Sequence, residues 1–202
     1  MRKFADKRLL VATHNQGKLE EILALLAPLG VECVGAAALG LLEPAETEDS
    51  FVGNARIKAH AATKSTGLPA LADDSGLCVD ALGGAPGVHT ADWAETPNGR
   101  DFNLAMQRTW NTLEAANSAE PRLARFCCTL VLAWPDGVDA VFEGEMQGRI
   151  VWPMRGAMGH GFDPIFLPDG HSRTFGEMDR WEKNKLSHRA DAFRKLIAGC
   201  FT

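Results

Sequence analysis

Four polar clusters in this chain hold residue types that could do chemistry. The first is Asp73-Asp74-Ser75-Gly76, framed by Leu71-Ala72 on one side and Leu77-Cys78-Val79 on the other. A short apolar strand that delivers two adjacent carboxylates at its end suits a magnesium ligand or a general base. Successive strand side chains point to opposite faces, so one of the two acids is expected to look into a cleft or solvent. Gly76 allows a bend or a close backbone approach there. Taken alone, Asp-Asp-Ser-Gly reads first as a polar turn between two strands; the other three clusters reverse that in favour of chemistry.

The second cluster is Thr13-His14-Asn15-Gln16-Gly17-Lys18, placed after the apolar run Leu9-Leu10-Val11-Ala12. A strand, a polar turn and then a helix expose backbone N–H groups at the positive helix end, and Lys18 adds a full charge. That is anion-binding chemistry. The P-loop spacing is missing, and an ordinary strand-helix connection with a solvated Lys18 is the competing reading. The third cluster, His160-Gly161-Phe162-Asp163, sits in a glycine-rich loop and brings an aromatic ring. The fourth, Lys183 with Ser187-His188-Arg189, opens a closing helix and brings cations. Acids that hold magnesium, cations that hold phosphates and a ring that stacks on a base together suit a nucleotide.

The elements that must position these clusters follow from the hydrophobic pattern. Arg8 to Thr13 reads as a buried first strand. Leu19, Ile22, Leu23 and Leu26 recur at helical spacing, and a second strand is expected over 31–34. The acidic loop 35–49 is mostly solvated surface. Ser50 is an N-cap for a helix with the stripe Phe51, Ala55, Ala59 and Ala62, and Asn54 and Lys58 share a different face. A helix is expected over 98–117. A buried strand is expected over 126–134, its hairpin return strand over 138–142, another strand over 147–152 and a short one over 165–167. The closing helix carries Leu186, Ala190, Phe193 and Ile197. This is an α/β pattern, and open α/β sheets bind ligands at loops beyond strand ends. No linker divides the chain, which reads as a single domain over 1–202.

Composition narrows the partners. The 46% hydrophobic and 23% charged fractions suit a soluble globular protein, and the formal net charge of -5 argues against a nucleic-acid-coating surface. The apolar run after the basic N-terminus is too short for a signal peptide or a membrane span. The five cysteines lack CxxC spacing, which suits free thiols in a reducing compartment. A cytoplasmic protein with no nucleic-acid or membrane partner is the expectation.

Thr13-x-Asn15-x-x-Lys18, Ala72-Asp73-Asp74-Ser75-Gly76-Leu77, Leu82-Gly83-Gly84-Ala85-Pro86-Gly87, Gly161-Phe162-Asp163-Pro164 and Ser187-His188-Arg189 stand here in one order. In that order they resemble the inosine triphosphate pyrophosphatase family, also called Ham1-like or non-canonical purine NTP pyrophosphatases. The resemblance runs from about Leu9 to about Ile197. It implies a mixed α/β fold with a long twisted sheet flanked by helices, in two lobes with a nucleotide groove between them. It also implies a homodimer, a Mg2+ requirement, and hydrolysis of ITP, dITP and XTP to monophosphate and pyrophosphate, which clears deaminated purines from the nucleotide pool. Carried over by position, residues 13–18 would hold the triphosphate. Asp74 would be the catalytic acid and a metal ligand, with Glu46 as the second metal carboxylate. Ser75 would touch the substrate. His160, Gly161, Phe162, Asp163 and Lys183 would line the base and sugar pocket, with Phe162 stacking. His188 and Arg189 would read the six-keto edge of the purine.

The chain departs from the common pattern at His14, at His89 where members often carry tyrosine, at His160-Gly161-Phe162-Asp163 where they often carry Phe-Gly-Tyr/Trp-Asp, and at Pro44-Ala45-Glu46-Thr47-Glu48 where they carry a Glu-Glu-Thr-Gly-like segment, which leaves the second metal carboxylate as Glu46 or a neighbour. Two rivals are a Maf-like pyrophosphatase for modified pyrimidine nucleotides and a nucleotide sensor without hydrolysis. A panel of triphosphates separates all three.

Overall fold

Short apolar runs alternating with helical stretches build a mixed six-stranded sheet. The computed structural model describes residues Met1 to Phe201. The strands are β1 (Arg8–Val11), β2 (Glu32–Gly35), β3 (Ala70–Val79), β6 (Leu123–Ala133), β7 (Asp139–Ile150) and β8 (Phe166–Pro168), and the order across the sheet is β2-β1-β3-β6-β7-β8. Strand β1 runs parallel to β2 and to β3, whereas β7 and β8 are antiparallel. A separate two-stranded hairpin joins β4 (Glu95–Thr96) to β5 (Gly99–Arg100). The helices are α1 (Gln16–Leu26), α2 (Phe51–Thr66), α3 (Phe102–Ala115), α4 (Arg180–Leu186) and α5 (His188–Leu196).

The chain divides into two compact units. The first holds residues 1–74 and 128–144 and the chain from Arg189 onward; the second holds 75–127 and 145–188. In the first unit, Ile22 and Leu26 of α1 and Phe193 and Leu196 of α5 pack with Leu9, Val11, Leu71, Leu130 and Leu132. A second core cluster joins Ala55, Ala59 and Ala62 of α2 to Leu10, Ala12, Ala70, Ala72 and Val131. Alanines on both sides of that contact let the helix backbone come close, which matters for the reach of Lys58. In the second unit, Ala105, Met106 and Leu113 of α3 pack with Leu77, Val79, Phe126, Phe166 and Phe175.

Several elements differ from the sequence expectation. Strand β3 does not end at the acids. It runs straight through Asp73-Asp74-Ser75-Gly76, and all its residues except Ser75 are buried. A turn there would have left buried backbone groups unpaired between neighbouring strands. Likewise the two strands expected over 138–142 and 147–152 are one strand, β7. Its glycines suggest a break, but Gly148 serves close approach: a Cβ there would meet the Leu167 carbonyl oxygen at 2.4 Å. The helix expected from residue 98 begins at Phe102, because 98–100 enter the hairpin and Asp101 caps α3 through Asn103 and Leu104 N–H. The closing helix is two helices, broken at Ser187, whose ψ of 161° is extended.

Candidate active site

The first unit gathers most of the predicted phosphate and metal residues. Helix α1 starts at Gln16, so Gln16, Gly17 and Lys18 are its first turn rather than loop. Asn15 is the N-cap, and its side-chain oxygen accepts the Lys18 N–H at 3.0 Å. Thr13 is buried and its hydroxyl oxygen accepts the Asn15 N–H at 3.2 Å. The family-like spacing Thr-x-Asn-x-x-Lys is therefore also the spacing of a capped helix start. His14 is exposed, and its Nε2–H donates to the Leu41 carbonyl at 2.7 Å. That bond lies beside a cavity of about 240 Å³ lined by Ala12, Leu41, Lys58 and Ser65.

Both acids of β3 are buried, and the alternation of the strand sends them to different partners. Asp73 receives Lys18 Nζ at 3.0 Å and Arg189 at 3.0 Å. Arg189 also pairs with Glu21 of α1. Burial alone would raise the Asp73 carboxyl, but Lys18, Arg189 and Lys58 outweigh it and hold it far below the usual carboxylate range. Asp73 is thus a fixed negative charge that anchors Lys18 and Arg189. Asp74 meets Lys58 of α2, whose Nζ lies 3.5 Å from Asp74 Oδ1 and 2.7 Å from Glu46 Oε1. Burial, Glu46 and Asp73 raise the Asp74 carboxyl to about 6 against the pull of Lys58 and Lys18. Burial would likewise depress the Lys58 ammonium, but Asp74, Asp73 and Glu46 outweigh it and raise it.

The acidic loop reaches this cluster through α2. Asn54 is buried and accepts the Glu48 N–H at 3.0 Å. Gly53 leaves room for Glu48, since a Cβ there would fall 2.5 Å from the Glu48 Cβ. These two contacts hold the segment that carries Glu46. Lys58 is the site residue that sequence reasoning passed over. Its signal was a lysine on a helix whose other spaced residues were alanine: such a helix is buried deeply enough to take the lysine in, and a buried lysine needs acids around it.

The second unit gathers the predicted base and sugar residues. Asp163 Oδ2 accepts Lys183 Nζ at 2.6 Å and the His160 N–H at 2.8 Å, and both charged residues are buried. Gly159 makes this possible: its φ is +76°, and a Cβ would lie 2.0 Å from Asp163 Oδ2. Gly161 shares the left-handed conformation with φ +67°. Phe162 is the residue expected to stack on the base. Phe162 is 1% exposed and turns its ring edge-on to Phe102, so it fills the core. The ring exposed on this loop is the imidazole of His160. His188 is buried with its ring stacked on Phe126 at 4.9 Å. Of the predicted donor pair, His188 lies in the aromatic cluster of the second unit and Arg189 in the ion pairs of the first. Ser75 is half-buried directly after Asp74.

A match to the Ham1 family model covers residues 9–199. The chain belongs to the Ham1 family. It is 66% identical to the dITP/XTP pyrophosphatase of Ruegeria pomeroyi over 99% of this chain and 98% of that one. Identity to the dITP/XTP pyrophosphatase of Rhizobium meliloti is 52%, over 99% of each chain. Among solved structures, a HAM1 protein from Coxiella burnetii superposes with a TM-score of 0.88 at 37% identity, covering 96% of this chain and 98% of that one. The nucleoside-triphosphatase / dITP/XTP pyrophosphatase of Mycobacterium abscessus gives a TM-score of 0.76 at 38% identity, covering 94% and 98%. The mixed sheet flanked by helices is thus the Ham1 fold, as the resemblance implied. The Ham1 match also spans all four polar clusters, from Thr13 to Arg189.

Proposed function

We propose that this chain hydrolyses non-canonical purine nucleoside triphosphates (ITP, dITP and XTP) to the monophosphate and pyrophosphate. The observation that carries the reading is the convergence of Asp74, Lys58 and Glu46 beside Lys18 and Asp73 in a Ham1-family chain. The curated names of its relatives point to the same activity. The biological use would be removal of deaminated purines from the nucleotide pool.

Lys18 and the first turn of α1 bind the triphosphate, matching its charge with a cation and the helix dipole. Lys58 neutralises phosphate oxygens from the other side of the acid pair. Asp74 is ionised above about pH 6 and can accept the proton of an attacking water at its carboxylate. Asp73 keeps its charge and holds Lys18 in place. In the second unit, the His160 loop, Lys183 and His188 serve the base and sugar. A purine with a keto oxygen at position six accepts hydrogen bonds there, whereas adenine presents donors. A pocket of donors then leaves ATP mismatched, which can cost orders of magnitude in rate.

A divalent metal fits this donor set. Glu46 and Asp74 already share a cation, the Lys58 ammonium, so their oxygens converge on positive charge. Among the described residues, no group of three or more His, Cys, Asp or Glu could hold a metal alone. Two carboxylates completed by substrate phosphates are the usual holding of Mg2+. When bound, Mg2+ would offset phosphate charge and polarise the reacting phosphoryl group. A homodimer in the cytoplasm completes the reading. No helix among the described residues is long and apolar enough to cross a membrane.

The test is pyrophosphate release from ITP, XTP, GTP, ATP, dTTP and UTP, with and without Mg2+. Mg2+-dependent release from ITP and XTP, with ATP and GTP nearly untouched, is expected. Release from the pyrimidine nucleotides would replace this reading with a Maf-like one. Tight ITP binding without release would replace it with a sensor.

A further inference from the structure

Five cysteines are free thiols in this structure. Cys78 and Cys127 differ. They stand 49 positions apart in sequence, one on β3 and one on β6, yet their sulfur atoms lie 3.9 Å apart. Both belong to the second unit. Cys127 Sγ also lies 3.8 Å from Glu145 Oε1. Arg125 completes the group, with its guanidinium 2.9 Å from Asp80 and 3.6 Å from Glu145. None of these residues contributes to the acid pair or the base loop.

We propose that Cys78 and Cys127 form an oxidisable dithiol, a modification site at which a small peroxide converts the pair to an intramolecular disulfide. The sulfurs stand 3.9 Å apart and would close to about 2.05 Å in the disulfide. The two thiols are unequal. The hydrogen bond from Cys127 holds the Cys78 thiol below its ordinary value, and Arg125 adds to this against burial. The same bond, with burial and Glu145, pushes the Cys127 thiol up. In the proposed step Cys78 supplies the attacking thiolate and Cys127, the partly exposed thiol, resolves it. Cys78 is only 7% exposed, which favours a small oxidant.

The step balances as follows. The Cys78 thiolate attacks one oxygen of hydrogen peroxide, the O–O bond breaks, and the departing hydroxide takes a proton to leave as water. The resulting sulfenic acid is attacked by the Cys127 sulfur. The S–S bond forms, and the sulfenic oxygen leaves as a second water with the Cys127 proton. Each sulfur gives up one electron, and the peroxide takes two.

The experiment treats the full chain with near-stoichiometric hydrogen peroxide, then records intact mass and maps peptides without reduction. A loss of about 2 Da, a single 78–127 cross-linked peptide and full reversal by dithiothreitol are expected. Two of the five thiols should vanish in a titration under denaturing conditions. Cys127→Ser and Cys78→Ser should each abolish the mass loss, whereas Cys33→Ser should leave it intact. Should Cys78→Ser fail to fold, Cys127→Ser alone decides, because its side chain is partly exposed. Phenylarsine oxide, which bridges close thiol pairs, should protect the wild type from oxidation and should not bind Cys127→Ser. Retention of all five thiols, a link through another pair or a link between two chains would overturn the proposal.

Discussion

At the scale of single residues, the site turns on the different partners of two neighbouring acids. Asp73 has cations close by and stays charged, while Asp74 shares Lys58 with Glu46 and rises to about 6. Asp74→Asn is expected to lower turnover about a hundred- to ten-thousand-fold with the fold retained, as circular dichroism and a pyrophosphate assay would show. Proton and metal compete for the same carboxylate. The apparent Mg2+ affinity should therefore be flat above about pH 6 and fall roughly tenfold per pH unit below it. Isothermal titration across pH 5 to 8 checks this sign. Lys58 lowers the Asp74 carboxyl. Lys58→Met should accordingly move the acid limb of kcat/KM upward in pH as well as reduce the rate. An unmoved limb would separate Lys58 from Asp74.

Among the elements, helix starts and tight glycines place the chemistry. The polar cluster 13–18 was legible as a helix entrance because N-caps and phosphate loops use the same residue types. Strand β3 was harder to read. A polar tetrapeptide looks like a turn until sheet neighbours on both sides pair its backbone, and neighbours distant in sequence leave no local trace. The loop 159–163 depends on Gly159, where φ is positive and a Cβ would strike Asp163. Gly159→Ala should cost about 1–3 kcal/mol and disturb the Lys183–Asp163 pair, read as a lower Tm and a raised KM with kcat less affected. Lys183→Met would leave the buried Asp163 without its lysine, at a cost of about 3–5 kcal/mol. A Tm equal to wild type would show that the buried pair is not what holds the loop.

For the whole molecule, the two units carry distinct chemistry: acids, lysines and a helix start in the first, and a lysine-aspartate pair with aromatic rings in the second. Strands β3, β6 and β7 supply residues to both. The family resemblance leads us to expect a homodimer. Sedimentation equilibrium at micromolar concentration should give twice the chain mass. Exposed Leu104 and Trp181 are side chains that a second copy could cover. A monomer that is fully active would remove dimerisation from the account of activity.

The sequence by itself determined most strand and helix positions and the residue types of the acid and cation clusters. Those follow from periodicity and capping, which act over a few neighbouring residues. Tertiary structure alone decided which groups meet. Lys58 reaches Asp74 across 16 positions, Arg189 reaches Asp73 across 116, and Cys127 reaches Cys78 across 49. Sheet order and helix packing set those meetings, and with them the burial that raises one carboxyl while its neighbour's cations lower the other. Phe162 makes the same point in reverse. Its type suits a stacking ring, but packing against Phe102 turned it inward and left His160 at the surface.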